Sequence, residues 1–470
     1  MRLLRSRRAS PTRRAIRLIN VGQAAGAPLQ FTLIEGGVLA LMILALGGTK
    51  SQAGMLFTVT FLAFPVQSLI APWIAVIPLK RFVIGGMGAS CLLTLGLMGS
   101  GAVDAKLGTQ AAVWYVIGVY AVSRVLMNVG AAAWFPLLAE VVPEAIRGRF
   151  LGRMRMTWRM STTAALVGAG LWLGDDPSVS RFYPLIVAIV AVGLVRPVLY
   201  TRLPAVLPAE HAEREPILRH LGRPLRDRDF RRFALFTVAI GFGTVIGFAY
   251  AVPYLRQDMA FPGDVTLYAS LFIGIGSVVS LVYWGRLVDR LGNRFTFLLS
   301  IGGRVIAMVA LAVAPSYPQA GPVALTVAGF SFFFFGVGLS GGQMGFTVRL
   351  MHIAPTEHRA AYMNLFFTVL GIGNAVAVGV GGLIIELLPT EVFIRGTQVE
   401  TMRIFFVAAA GWLMLAASAL RFLPPVREPR LSDAVGAAVA ALPTPLNLPL
   451  IPLHWYTRRA SRKRSRSASS

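Results

Sequence analysis

Twelve apolar stretches separated by polar gaps run from residue 28 to residue 422. They predict helices near 28–48, 53–77, 82–103, 111–138, 156–174, 183–203, 233–255, 265–284, 295–314, 321–348, 362–388 and 402–422. About 20 helical residues cross roughly 30 Å of hydrocarbon. A chain exposed to lipid must satisfy its own backbone hydrogen bonds, so these stretches read as transmembrane helices. An even number of spans puts both ends of the chain on one side.

The polar gap 204–232 divides the spans six and six. The expected fold is therefore an all-α integral membrane protein with twelve transmembrane helices in two pseudo-symmetric six-helix bundles, 28–203 and 233–424. A basic tail, 1–27, precedes them, and a basic, mostly disordered tail, 425–470, follows. Pro443, Pro445, Pro449 and Pro452 forbid a thirteenth span in that tail. The stretch Pro224-Leu225-Arg226-Asp227 is expected to open a short amphipathic helix at the membrane surface. The halves repeat weakly: Gly130 and Gly342, Pro143 and Pro355, Arg147 and Arg359, and Phe150 and Tyr362 share an offset of 212. Internal duplication of this kind is a mark of secondary transporters, whose halves rock about a central site.

Positive charge sets the expected orientation. Thirty-six Arg and Lys fall in the termini and alternate gaps, six in the other gaps, and three (Arg124, Arg196, Arg304) inside spans. Cytoplasmic loops retain Arg and Lys, so both termini are expected in the cytoplasm. Hydrophobic residues make up 56% of the chain and charged ones 14%, too few charges for a soluble domain of this size. The net charge of +25 points to the anionic lipids of an inner leaflet rather than to nucleic acid. Cys91 is the single cysteine, which excludes an intramolecular disulfide and a thiolate metal cluster. The start of the chain lacks the features of a cleaved signal peptide. A bacterial inner membrane is the expected location.

After the eighth span the sequence reads WGRLVDRLGNRFTF, with Gly285, Asp289, Arg290, Gly292 and Arg294 spaced G-x-x-x-D-R-x-G-x-R. This resembles the signature loop of the major facilitator superfamily. Pro143, Glu144, Arg147, Gly148 and Arg149 resemble that family's next loop, and Arg124, Gly130, Ala131 and Ala132 its fourth-helix arginine motif. The equivalent first-half loop keeps Lys80-Arg81 but lacks the Gly…Asp-Arg core, and the fifth span lacks the Gly-Pro associated with drug–proton antiporters. Gly285 allows close backbone approach and Gly292 a turn closed to other residues. Asp289, Arg290 and Arg294 could hold helix ends or a partner across the bundle interface, and with Pro143, Glu144, Arg147 and Arg359 they form the candidate gating loops.

A charge at bilayer depth costs about 2.5–3.5 kcal/mol on insertion scales, so Glu35 and Arg124 should face protein or water. The resemblance implies that the first, fourth, seventh and tenth helices line a central cavity, where Glu35 could meet Arg124 and load and release a proton. Asn128, Tyr250, Gln343 and Asn374, with Tyr254, are further candidates for solute contact or helix bridging. Arg196 is expected to snorkel to the surface, and Arg304 needs a partner that the sequence does not name. A Walker A loop and an H-E-x-x-H motif are both missing, and neither an ATP-driven machine nor an enzyme is indicated. The expected function is secondary active transport of a small solute by alternating access, with protons as a candidate coupling ion, no cofactor, and a monomer as the sufficient unit. A membrane-embedded solute receptor with the same fold is the alternative.

Overall fold

The computed structural model describes residues 11–33, 37–74, 77–203, 217–355, 359–389, 391–394 and 397–423. The first span is built from α1 (Pro11–Ala27), a π-helical turn (Pro28–Thr32) and α2 (Val38–Ala45). Spans two to six are α3 (Lys50–Ile74), α4 (Leu79–Leu107), α5 (Thr109–Leu138), α6 (Glu144–Leu173) and α7 (Val179–Tyr200). A linker helix, α8 (Ile217–Arg226), leads to the seventh span, made of α9 (Arg228–Phe248) and α10 (Ala251–Gln257). The run Gly263–Ala312 is broken at Gly292 into α11 (263–291) and α12 (292–312). It is followed by α13 (Tyr317–Ile353), α14 (Arg359–Leu387), a hairpin of β1 (Glu391–Ile394) and β2 (Thr397–Glu400), and α15 (Thr401–Ser418). We call the face where α1 begins and α15 ends the terminal face, and its opposite the far face.

Among the described residues, ten helices are long and apolar enough to cross a membrane. The first and fifth spans are outside that set, each for a physical reason. The helix of the fifth begins at Glu144, not near 156, and its first half carries Arg147, Arg149, Arg153, Arg155 and Arg159. The first begins at Pro11, seventeen residues before the expected start, because Arg, Gln, Gly and Ala dilute its hydropathy. Its packing stripe is nonetheless regular: Ala15, Ile19, Gly22, Gln23, Gly26 and Ala27 are buried against the fifth and sixth spans. Gly22 lies against the Tyr200 ring and Gly26 against the Arg196 side chain, the close approach that small residues at i and i+4 permit.

Two hydrophobic cores result. One gathers buried residues from Ala15 to Leu203, the other from Phe230 to Leu423; Val252 and Leu267 of the second half are buried in the first core, and Leu271 packs against it. Within the halves the third span packs on the fourth and sixth, and the seventh on the eleventh and twelfth. Between the halves, α3 packs on α14 and α6 on α11. Two helix starts carry side-chain caps. Thr49 and Gln52 form a reciprocal capping box at α3, and the Asp227 carboxylate accepts from the amides of Asp229 and Phe230 at the start of α9. Asp227 thus starts the seventh span, and the linker helix ends at Arg226, where the sequence suggested that it begins.

Gly292 adopts φ 79° and ψ 176°, a region open essentially to glycine alone. Gly292→Ala is expected to cost about 1–3 kcal/mol, read as a lower melting temperature of the purified protein.

Candidate functional site

The first and seventh spans, which open the two halves, are both interrupted. The first is interrupted at Gly37, which has φ 79° and caps α2. The seventh is interrupted at Tyr250, which has φ −102° and ψ 1° and follows the still helical Ala249. The repeat offset of 212 pairs Gly37 with Ala249. The interruptions therefore lie within one residue of equivalent places, and the chain beside them is in contact: a Cβ on Gly37 would lie 2.8 Å from Val252 of α10. Beside them Tyr250 is wedged into a socket made by Gly54 of α3 and by Gly381 and Gly382 of α14. Its hydroxyl donates to the Val378 carbonyl at 2.6 Å. The socket exists because these glycines lack side chains. Tyr250 therefore packs the seam between the bundles and is only 1% exposed.

A polar network lies in the first bundle. Arg124 and Asn128 are one turn apart on α5 and are 6% and 2% exposed. Asn128 donates through Nδ2 to the Arg124 carbonyl at 2.9 Å and accepts at Oδ1 from Gln67 of α3 at 2.6 Å. The Arg124 guanidinium sits 5.9 Å from the centre of the Tyr120 ring, and the Tyr120 hydroxyl is 3.4 Å from Thr60 Oγ1. Arg124 Nε is buried with no hydrogen-bond partner. An always-ionised group with a buried, unmet donor forgoes a charge-assisted hydrogen bond. Gln67, Thr60 and Tyr120 were not among the sequence candidates. Their signal was polar spacing within the second and fourth spans, which a hydropathy reading passes over.

The other intramembrane cations are accommodated differently. Arg304, 3% exposed, runs along a groove between Gly338 and Gly342 of α13. It donates to Thr244 Oγ1 of α9 at 3.1 Å and to the Gly338 carbonyl at 3.2 Å, which supplies the partner the sequence could not name. Arg196 does not snorkel. It is 4% exposed, with its cation 5.7 Å from the Trp134 ring and 6.0 Å from the Tyr200 ring, and those rings stack at 5.5 Å. Cation–π contact inside the bundle replaces hydration.

The remaining candidates separate. Asn374, 6% exposed, fits against Gly241 with Oδ1 buried and unpartnered. Gln343 is exposed, and the Tyr254 hydroxyl meets Glu400 at 3.4 Å. Glu35 lies outside the described residues, as do the side chains of Glu144, Arg147, Asp289, Arg290 and Arg359. Pro143 caps α6, and Gly285 lies within α11. Arg294 donates to the Leu423 carbonyl at 2.7 Å, a helix-end contact inside the second bundle. Across the bundles, Ser68 and Thr368 pair at 2.6 Å, and Phe61 and Phe64 pack on Gly371.

Two bundles of long apolar helices that meet along a seam with polar groups in it are the architecture of an integral membrane protein. The Major Facilitator Superfamily model matches residues 26–378, and the chain belongs to that family. Among curated relatives, it is 28% identical over 149 residues to the rubrofusarin-specific efflux pump aurT of Gibberella zeae, covering 32% of this chain and a quarter of the pump's length. It is 23% identical over 311 residues to the proton-coupled antiporter flippase LtaA of Staphylococcus saprophyticus, covering 65% of this chain and 73% of the flippase. In fold it is similar to the nucleoside transporter NupG (TM-score 0.61, 13% identity, 88% of this chain and 99% of that one). It is similarly close to the xylose transporter XylE from E. coli in a partially occluded inward open form (TM-score 0.60, 14% identity, 89% and 100%).

Proposed function

We propose that this chain is a secondary active transporter that carries a small solute by alternating access, from a site between the bundles at mid-membrane. The observation that carries the reading is the pair of near-equivalent interruptions, at Gly37 and at Tyr250, with the chain beside them in contact across the bundle seam. Broken helices at corresponding positions of two repeats mark the binding region of secondary transporters. Contacts made and broken beside such breaks let one bundle rock against the other. In this reading both termini are cytoplasmic and the far face is the external one, as the Arg and Lys count supports.

Arg124, backed by Asn128 and Gln67, forms the solute-binding wall. Its unmet guanidinium donor favours a solute that carries a carboxylate or phosphate, because charge-assisted hydrogen bonds are the strong ones. Glu35, beside the Gly37 break in sequence, is the proposed proton carrier that links solute movement to the proton gradient.

The test is counterflow in proteoliposomes loaded with panels of organic anions and neutral solutes. The expected result is exchange of an anionic solute, accelerated by an inward-directed pH gradient. Binding of a solute without exchange would overturn the transport reading in favour of a receptor.

A further inference from the structure

A groove of about 360 Å³ opens near the terminal face of the first bundle, a size in the range of small-molecule sites. α4 packs on α5 and α7, while α3 packs on α5 and on α14 of the second bundle. Between α3 and α4 the groove remains, with α5 as its floor. Ile77, just past α3, and Phe82 of α4 form its walls, and Leu126 and Val129 of α5 line its base. Two glycines shape it. Nothing lies within 4 Å of a Cβ placed on Gly85, which leaves the slot open. A Cβ on Gly86 would lie 2.5 Å from the Gly130 amide nitrogen, so α4 reaches α5 only because that side chain is missing.

The groove lies on the side of α5 that carries its exposed residues. Val129 continues the helical stripe of Trp114, Val122 and Val125, whereas Arg124 and Asn128 are buried on another side. Trp73, in the last turn of α3, is 38% exposed at the same end, the level where tryptophan gathers beside headgroups. The charge at the mouth has one sign. Arg81, in the first turn of α4, lines the groove and is exposed. Its neighbour Lys80 is committed to the Thr201 carbonyl and, at 2.7 Å, to the Leu203 carbonyl after α7. That contact brings Arg202, also exposed, to the same corner. Among the described residues Arg81 has no hydrogen bond or ion pair, and the sequence has no Asp or Glu between Glu35 and Asp104. An uncompensated cation above an apolar slot matches a lipid whose headgroup is negative and whose chains are hydrocarbon.

We propose that this groove binds one anionic glycerophospholipid, with an acyl chain along Gly85 and Leu126 and the negative headgroup on Arg81. The site is separate from the solute wall and does not depend on the transport reading. Its occupant presses on α5 from the side away from Arg124, where no protein helix supports it.

Native mass spectrometry of the detergent-purified full chain, supplied with equal amounts of phosphatidylglycerol and phosphatidylcholine, reads the site. The first lipid retained is expected to be phosphatidylglycerol by about fivefold, the size of effect of one basic side chain at an anionic headgroup. Arg81→Gln is expected to bring that preference close to one. Gly85→Leu fills the slot and is expected to lower retention of both lipids at least about threefold. Its melting temperature should not fall, since the new side chain enters open space and leucine is the better helix former. Arg421→Gln, which removes another exposed cation at the terminal face, should change neither reading. Equal retention of the two lipids by the unaltered chain overturns the proposal. So does a preference that survives Arg81→Gln or falls equally in Arg421→Gln, because attraction is then spread over the whole basic face. Retention unchanged in folded Gly85→Leu also overturns it, and a dimer peak that this variant abolishes would give the groove to a second copy of the chain.

Discussion

Gly336→Val is expected to abolish the folded protein, giving no monodisperse peak on size exclusion in detergent. A Cβ at Gly336 would overlap the Ile273 carbonyl, and one at Gly276 would overlap the Phe333 carbonyl. The eighth and tenth spans are thus locked backbone to backbone, each through the other's missing side chain. Ser277 confirms the closeness by donating to the Gly336 carbonyl at 3.0 Å. A flexible side chain could swing away from a new methyl group; a carbonyl in the middle of a helix cannot. Overpacking that displaces only side chains costs about 1–3 kcal/mol. Forcing two helices apart also breaks the Ser277 and Ser280 hydrogen bonds at this seam, so a loss above about 4 kcal/mol is expected, at the extreme of single substitutions. Gly285→Val provides the contrast: nothing lies within 4 Å of its Cβ position, and the melting temperature should barely move.

Arg124→Met is expected to lower solute exchange by about 100-fold, because a charge-assisted hydrogen bond of about 1.5–3 kcal/mol is lost. The same change should leave the melting temperature unchanged or raise it. Arg124 is 6% exposed, its Nε is unpartnered, and among the described residues no carboxylate pairs with it. Methionine fills similar volume without a charge to desolvate, and such replacements of buried ions are often neutral or stabilising. A residue kept for binding against the interest of stability shows this split. If melting temperature and exchange fall together, Arg124 is a structural pin and the solute wall lies elsewhere. Asn128→Ala should lower exchange less and, unlike Arg124→Met, lower the melting temperature, since Gln67 would lose its acceptor.

Of the candidate site, the sequence showed Arg124 and Asn128 through their polarity inside an apolar run, and the structure brings both into one network. It misread Arg196, because distance from a span's end says nothing about Trp134 and Tyr200 arriving from other parts of the chain to receive the cation. Tyr250 was selected as a polar group, yet its position is set by three glycines more than 100 residues away or on another bundle. The breaks themselves were hidden. A hydropathy profile stays smooth where the backbone leaves the helix, so Gly37 and Tyr250 carried no mark as breaks until their φ and ψ were known.

The amino-acid sequence alone determined the class: a membrane chain of two related halves, its family motifs, and a lopsided distribution of Arg and Lys. Those properties follow from composition and spacing, because lipid imposes helix length and backbone satisfaction locally. Only tertiary structure decided that residues 11–27 belong to the first bundle, that Arg304 lies in a glycine groove, and that Lys50, Asp176, Asp258 and Arg256 tie the halves together at the far face. Such contacts join segments up to 208 residues apart in the case of Lys50 and Asp258. Their strength depends on burial and on which neighbour arrives, and neither is a property of a residue and its sequence neighbours.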